Sequence, residues 1–162
     1  MLTIRPAEPK DAALVFDFVR ELADYERLAH EVVATEADLA AALFSAQPRV
    51  FCDIAEWKGV PAGLALWFYN FSTFRGQHGI YLEDLYVRPD HRGRGIGKAL
   101  LAHLAARCGR EGLARLDWAV LDWNAPSIAF YQSLGAFPQA DWVGYRLTGK
   151  ALAELASLVS LN

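Results

Sequence analysis

Seven residues in the middle of the chain, Arg92-Gly93-Arg94-Gly95-Ile96-Gly97-Lys98, constrain the fold more than any other stretch. Tyr81 to Val87, just upstream, is apolar enough to read as a strand, and Ala99 to Ala105, just downstream, has helical periodicity. Three glycines in five positions strip side chains from the turn between them, so its amides can approach a ligand closely. The helix that follows adds N–H groups without intrahelical partners and a partial positive charge. Arg92, Arg94 and Lys98 add full charges. Strand, bare turn, helix start and cations together describe a cradle for phosphate.

Spacing excludes the two commonest cradles. A dinucleotide fingerprint needs G-x-G-x-x-G, but Lys98 stands where the third glycine belongs. A nucleotide P-loop needs G-x-x-x-x-G-K-[ST], but Arg92 occupies the first glycine position and Ala99 follows Lys98. The remaining pattern, [RQ]-x-x-G-x-[GA], is met by Arg92, Gly95 and Gly97, and it resembles the pyrophosphate-binding motif of the GNAT N-acetyltransferases. Ile4-Arg5-Pro6-Ala7 is similar to the first-strand signature of that superfamily. Asn124, Ser127, Tyr131 and Gly135 fit its second cofactor motif, N-x-x-[AS]-x-x-x-Y-x-x-x-G. Leu22-Ala23-Asp24-Tyr25-Glu26, Tyr81-Leu82-Glu83-Asp84 and Val120-Leu121-Asp122-Trp123-Asn124 resemble its diamine (spermidine/spermine) and thialysine acetyltransferase branch. The likeness runs in order along nearly the whole chain.

Composition sets the outer limits. With 162 residues and 54% hydrophobic content, the chain can build one domain with a full core. A net charge of −3 argues against a nucleic-acid partner, which calls for a basic excess. Met1 to Arg5 lacks a basic start leading into a long apolar stretch, and no apolar run approaches the ~18 residues of a membrane span. A cytoplasmic protein without a membrane partner is expected. Cys52 and Cys108 form no C-x-x-C and read as buried thiols. His30, His78, His91 and His103 have no pairwise metal-ligand spacing, so no metal is expected.

Along the chain, the pattern predicts a strand over Leu2–Arg5 and a helix from Pro9 to about Arg27, with Leu14, Phe18, Leu22 and Tyr25 on one face. Thr35 and Asp38 read as a capping pair opening a helix through Phe44. Arg49–Trp57 and Ala62–Phe71 read as strands joined by Lys58-Gly59-Val60-Pro61, Ser72–Gly79 as a loop, and Ile80–Val87 as a strand ended by Pro89. Leu113–Leu121 reads as a strand, Asn124 as the cap of a helix to Leu134, Trp142–Leu147 as a late strand, and Thr148–Leu158 as a terminal helix. This mixture predicts an α/β or α+β layer fold with a mostly antiparallel sheet flanked by helices. The resemblance sharpens it to a single GNAT domain over residues 1–162, in which two central strands splay and the cofactor enters the gap.

The resemblance also assigns roles. Acetyl-CoA is the implied co-substrate. Its pyrophosphate is expected on the amides of Gly93, Arg94, Gly95, Ile96, Gly97 and Lys98, with Arg92 and Arg94 near the phosphate oxygens. Its pantetheine arm is expected along Leu85, Tyr86 and Val87, and Asn124, Ser127 and Tyr131 are implied cofactor contacts. Tyr131, two helical turns from Asn124, is the implied acid for the departing thiolate. Thiol and phenol pKa values of about 8.5 and about 10 make that donation mildly uphill in water. The acceptor amine must lose a proton, which at pH 7.4 costs about three pKa units, or ~4 kcal/mol. Glu83 is the candidate base, directly or through water. Asp84 should face the other way by strand alternation unless a bulge intervenes.

Tyr25, Glu26, Glu83, Asp84, Asp117 and Trp118 match acceptor-binding positions of the branch. Val143 replaces the acidic residue that polyamine enzymes carry before the late Gly-aromatic pair, and the Phe71–Gly79 loop is one residue longer than in close relatives. Phe71-Ser72-Thr73-Phe74-Arg75-Gly76 and Val120-Leu121-Asp122-Trp123 resemble the thialysine-acetylating relatives. A lysine analogue or short diamine is therefore expected ahead of spermine, and the resemblance implies a homodimer. The alternatives are a GNAT enzyme acting on a peptide or antibiotic amine, and an acyl-CoA-binding sensor that does not catalyse.

Overall fold

Three antiparallel pairings, two of them hairpins, and one parallel contact generate the sheet. In the computed structural model, which describes residues 1–159, the strands are β1 (Leu2–Pro6), β2 (Phe51–Trp57), β3 (Val60–Ser72), β4 (Gln77–Val87) and β5 (Leu116–Trp118). They lie in chain order, antiparallel from β1 to β4, with β5 parallel to β4. The mostly antiparallel expectation holds. The β2–β3 turn needs only Lys58 and Gly59, both with positive φ, so Val60 and Pro61 already belong to β3. The expected loop over 72–79 shrinks to residues 73–76, because β3 and β4 pair out to Ser72 and Gln77.

The helices are α1 (Ala12–Tyr25), entered through a 3-10 turn at Pro9–Asp11, α2 (Glu36–Leu43), α3 (Ile96–Glu111), α4 (Ala125–Ser133) and α5 (Gly149–Ala156). Thr35 and Asp38 form the reciprocal capping box on α2 that the sequence predicts. One face of the sheet buries Cys52, Ile54, Leu64, Leu66 and Tyr86 against Val15, Phe18 and Leu43 of the α1 and α2 helices. The opposite face receives α3, whose Arg107 guanidinium lies 5.0 Å from the Trp67 ring centroid. Both faces of the central strands are thus covered, as a layered fold requires.

The chain divides into two compact units, residues 1–121 and 122–162. In the second, α4 and α5 are separated by a segment without helix or strand. The predicted strand over Trp142–Leu147 is absent. Its pattern has no neighbouring strand to pair with among the described residues, and an unpaired strand leaves its backbone groups to water. The predicted strand over Leu113–Leu121 contracts to Leu116–Trp118 for a related reason: β4 offers a partner only from Ile80 to Leu82. Among the described residues no helix is long and apolar enough to cross a membrane, and no group of three His, Cys, Asp or Glu side chains is placed to hold a metal ion.

Candidate active site

β4 organises the site through two irregularities. The first is a bulge. Leu66 pairs with Asp84 and Trp67 with Leu82, so Glu83 is an extra residue with no opposite number. Leu82 and Tyr86, four apart, would share a face in a regular strand. Here Leu82 stands opposite Trp67, toward α3, and Tyr86 opposite Leu64, toward α1. The bulge switches the parity of the strand and puts Asp84 on the α1 side with Leu66 and Tyr86.

The second irregularity is a parting. β5 pairs with β4 only through Ile80, Tyr81 and Leu82, opposite Leu116, Asp117 and Trp118. Beyond that, Glu83 to Val87 have no strand partner on that edge among the described residues, while Leu85, Tyr86 and Val87 remain paired with Ala65, Leu64 and Gly63 on the other. Gly63 is required by this close pairing, since a Cβ there would lie 2.4 Å from the Tyr86 carbonyl oxygen.

The glycine turn follows β4. Gly93 and Gly95 adopt left-handed φ of 73° and 77°, and Gly95 caps α3. Ala99 N–H donates to the Gly95 carbonyl at 2.9 Å; none of the amides from Gly93 to Lys98 makes a hydrogen bond to an acceptor of the described residues. A run of unspent donors at the start of a 16-residue helix is the chemistry an anionic diphosphate demands. The turn therefore fits the diphosphate of a coenzyme, and the free edge of β4 fits an extended amide-bearing chain. The two arginines of the motif point elsewhere. Arg92 Nε donates to the Val87 carbonyl at 2.9 Å, and Arg94 donates to the Asp90 carbonyl at 3.3 Å while lying 5.5 Å from the Trp57 ring centroid.

Three carboxyls gather on the acceptor side. Burial, reinforced by the charges of Glu83 and Glu26, pushes Asp84 up to about 7. Burial also raises Glu26, the residue after α1. Glu83 is exposed and Asp84 half-buried. The sequence marks this pair but leaves its facing open; the bulge, which no alternation pattern encodes, sets it. Tyr25 ends α1 and is 37% exposed. Asp117 is already engaged: its Oδ2 accepts from Asn70 Nδ2 at 3.1 Å and from Arg115 Nε at 2.9 Å. Trp118 is half-buried opposite Leu82.

In the second unit, Asn124 is buried and caps α4, its side chain accepting from Ser127 N–H at 3.4 Å. Tyr131 lies seven residues on, half-buried, its ring 5.4 Å from that of Phe130.

A backbone anion cradle that opens a helix thus follows a strand that loses one neighbour halfway. The sequence matches the Acetyltransferase (GNAT) family over residues 16–136. It is 37% identical to a thialysine N-epsilon-acetyltransferase of Bos taurus, over 94% of this chain and 96% of that protein. It is 31% identical to an L-ornithine N5-acetyltransferase of Arabidopsis thaliana, over 96% of this chain and 88% of that protein. Among solved structures, an integron cassette protein from the mobile metagenome of V. cholerae superposes with a TM-score of 0.78 at 31% identity, covering 96% of this chain and 97% of that one. The chain belongs to the GNAT acetyltransferase family, whose co-substrate is acetyl-CoA.

Proposed function

We propose that this enzyme transfers the acetyl group of acetyl-CoA to the primary amine of a lysine analogue such as thialysine, or of a short diamine. The observation that carries the reading is the presence, in residues 1–121, of unspent amides at 93–98, a free edge on β4 and a carboxyl cluster around Asp84. The relatives named for thialysine and ornithine acetylation support the acceptor class, since both compounds are amino acids bearing a terminal primary amine.

Acetyl-CoA supplies the activated thioester that the amine attacks. The amides of Gly93 to Lys98 hold the diphosphate, each charged hydrogen bond contributing ~1.5–3 kcal/mol. Leu85, Tyr86 and Val87 lend main-chain groups to the pantetheine arm, and an amide at Tyr86 or Val87 steadies the developing oxyanion. Glu26, Glu83 and Asp84 draw in the cationic amine beside the Tyr25 ring, with Asp117 and Trp118 further along the acceptor site. A carboxyl near 7 accepts a proton from an amine of pKa about 10.4 at a cost of about three units. Asp84 can therefore be the final proton acceptor, with Glu83 in contact with the amine directly or through water. Tyr131, on the helix that Asn124 caps, protonates the leaving thiolate.

The test is thiol release from acetyl-CoA across an amine panel, for the wild type and Tyr131→Phe. Lysine analogues and short diamines should be the best acceptors, and Tyr131→Phe should lower kcat by about 10²–10⁴. Efficient turnover of an aminoglycoside or a protein N-terminus alone would overturn the acceptor class. We also infer a homodimer in a cytoplasmic setting. Phe137, Trp142, Tyr145 and Leu158, each at least 76% exposed, support a partner surface, because large apolar side chains left to water in number call for a partner. Light scattering that reads a lone 18.0 kDa chain would remove the dimer.

A further inference from the structure

Two arginines from the connection between β4 and α3 grip one face of α1. Arg88 forks onto Glu21, with contacts of 2.8 and 3.1 Å, and its guanidinium lies 4.5 Å from the Phe18 ring centroid. Arg92, one turn of chain later, lies 4.9 Å from the ring centroid of Tyr25 and 5.7 Å from that of Tyr86. Phe18, Glu21 and Tyr25 are spaced by three and four residues, so they form a single stripe along the helix. The grips differ in kind. Arg88 has a carboxylate partner, whereas Arg92 has none within ion-pair distance among the described residues. The charge of Arg92 is placed against aromatic faces and the Val87 carbonyl instead.

An arginine at the rim of an anion cradle ordinarily reaches for phosphate. This one is turned away from the turn it opens and toward the residue that closes α1. Immediately beyond Tyr25 come Glu26 and then Arg27, whose φ of 61° makes the chain bend sharply. The Tyr25 ring, at the C-terminal end of α1 and partly in solvent, is therefore held on one face by Arg92. Tyr86, the second ring under the guanidinium, is buried on the same face of the sheet as Asp84. One side chain thus ties together the end of β4, the core beneath the carboxyl cluster and the aromatic wall beside Glu26.

We propose that Arg92 is a positioning residue for the acceptor amine: it fixes Tyr25 so that the ring and the carboxyls present one preformed site, and it is not a phosphate ligand. The proposal rests on the reading that the amine binds between Tyr25, Glu26 and Asp84. Diphosphate is held by main-chain amides, so acetyl-CoA affinity does not depend on the Arg92 side chain. Loss of the guanidinium removes the contact that orients one face of the Tyr25 ring and weakens amine binding, without altering the groups that move protons.

The experiment measures the acetyl-CoA Kd by calorimetry, and kcat and KM for thialysine, in the wild type, Arg92→Ala, Arg92→Lys, Tyr25→Leu and the Arg92→Ala/Tyr25→Leu double variant. Arg92→Ala should raise the thialysine KM about two- to fivefold, as expected for loss of an exposed cation–π contact. Its kcat and its acetyl-CoA Kd should each stay within about twofold. Arg92→Lys, which keeps the charge and loses the planar fork, should recover part of the KM. Tyr25→Leu should raise KM by itself, and the double variant should be no worse than the poorer single one, the non-additivity of a shared contact. An acetyl-CoA Kd weakened tenfold by Arg92→Ala with KM unmoved would make Arg92 a phosphate ligand and overturn the proposal. A raised KM in Tyr25→Leu with none in Arg92→Ala would overturn it while leaving the acceptor reading intact. No KM change in Tyr25→Leu would place the amine elsewhere, and both would fall together.

Discussion

The turn at residues 93–98 and the carboxyl cluster around Asp84 both take their positions from β4, yet one is made of main chain and the other of side chains. The turn offers amides whose directions are set by two left-handed glycines and a helix start. The cluster offers acids whose strength is set by burial and by each other. A backbone site is insensitive to the identity of most of its side chains and unforgiving of changes to its dihedral angles. A side-chain site behaves in the opposite way. The division suits the proposed chemistry, because a diphosphate is the same in every acetyl-CoA while the acceptor amine is what distinguishes one such enzyme from another.

That contrast breaks most visibly at Gly95. Gly95→Asp forces a side chain into left-handed backbone, at ~1–2 kcal/mol, and sets a negative charge against the diphosphate. We expect acetyl-CoA affinity to fall about 100-fold or more in calorimetry. Unchanged affinity would mean that the turn is not the cradle.

Asp84→Asn probes the other side. Acetyl-CoA affinity should hold, while kcat/KM for the amine falls by about 10–100-fold. In the wild type kcat/KM should rise with pH through about 7 as Asp84 gives up its proton, and the variant should lose that limb. The same carboxyl leaves a stability signature of determinate sign. Its folded value of about 7 lies above the ordinary 3.8, so the folded chain binds the proton more tightly, and stability falls as pH rises from about 4 to about 7. With allowance for solvent screening of a half-buried group, denaturant melts should show Asp84→Asn flattening that fall by ~1–2 kcal/mol. An identical slope in both proteins would mean that Asp84 is not perturbed.

Arg88→Ala gives the smallest of these effects on the contrast, because it loosens α1 without touching either half directly. Loss of its bidentate hydrogen bonds to Glu21 should lower unfolding free energy by ~1–2 kcal/mol in urea. A large change in acetyl-CoA affinity instead would tie α1 to the cradle more tightly than the contacts indicate.

Legibility in the sequence follows the same division. Gly93, Gly95 and Gly97 announce the cradle because only glycine strips a turn so bare, and Thr35 with Asp38 announces a helix start because the reciprocal cap is a local device. The four antiparallel strands are readable from short-range pattern. What was not readable depends on distant partners. The Glu83 bulge reflects how β4 meets β3, the truncation of β5 at Trp118 reflects where β4 stops pairing, and the direction of Arg92 reflects where α1 ends. The expected strand over Trp142–Leu147 misled for the same reason, since its composition suits a sheet that no described strand provides. Asp117 matches an acceptor position of the family branch by resemblance, but its bonds to Asn70 and Arg115 arise only in the folded sheet.

The early end of the β4–β5 ladder has a consequence for the empty protein. From Glu83 to Val87 the sheet stops partway, like a zip left half closed, and among the described residues no strand takes up the main chain on that edge, which an extended ligand or another polypeptide could pair with. A small molecule that lies along it completes the ladder from outside, so the solubility and melting point of this enzyme should track the supply of its own co-substrate.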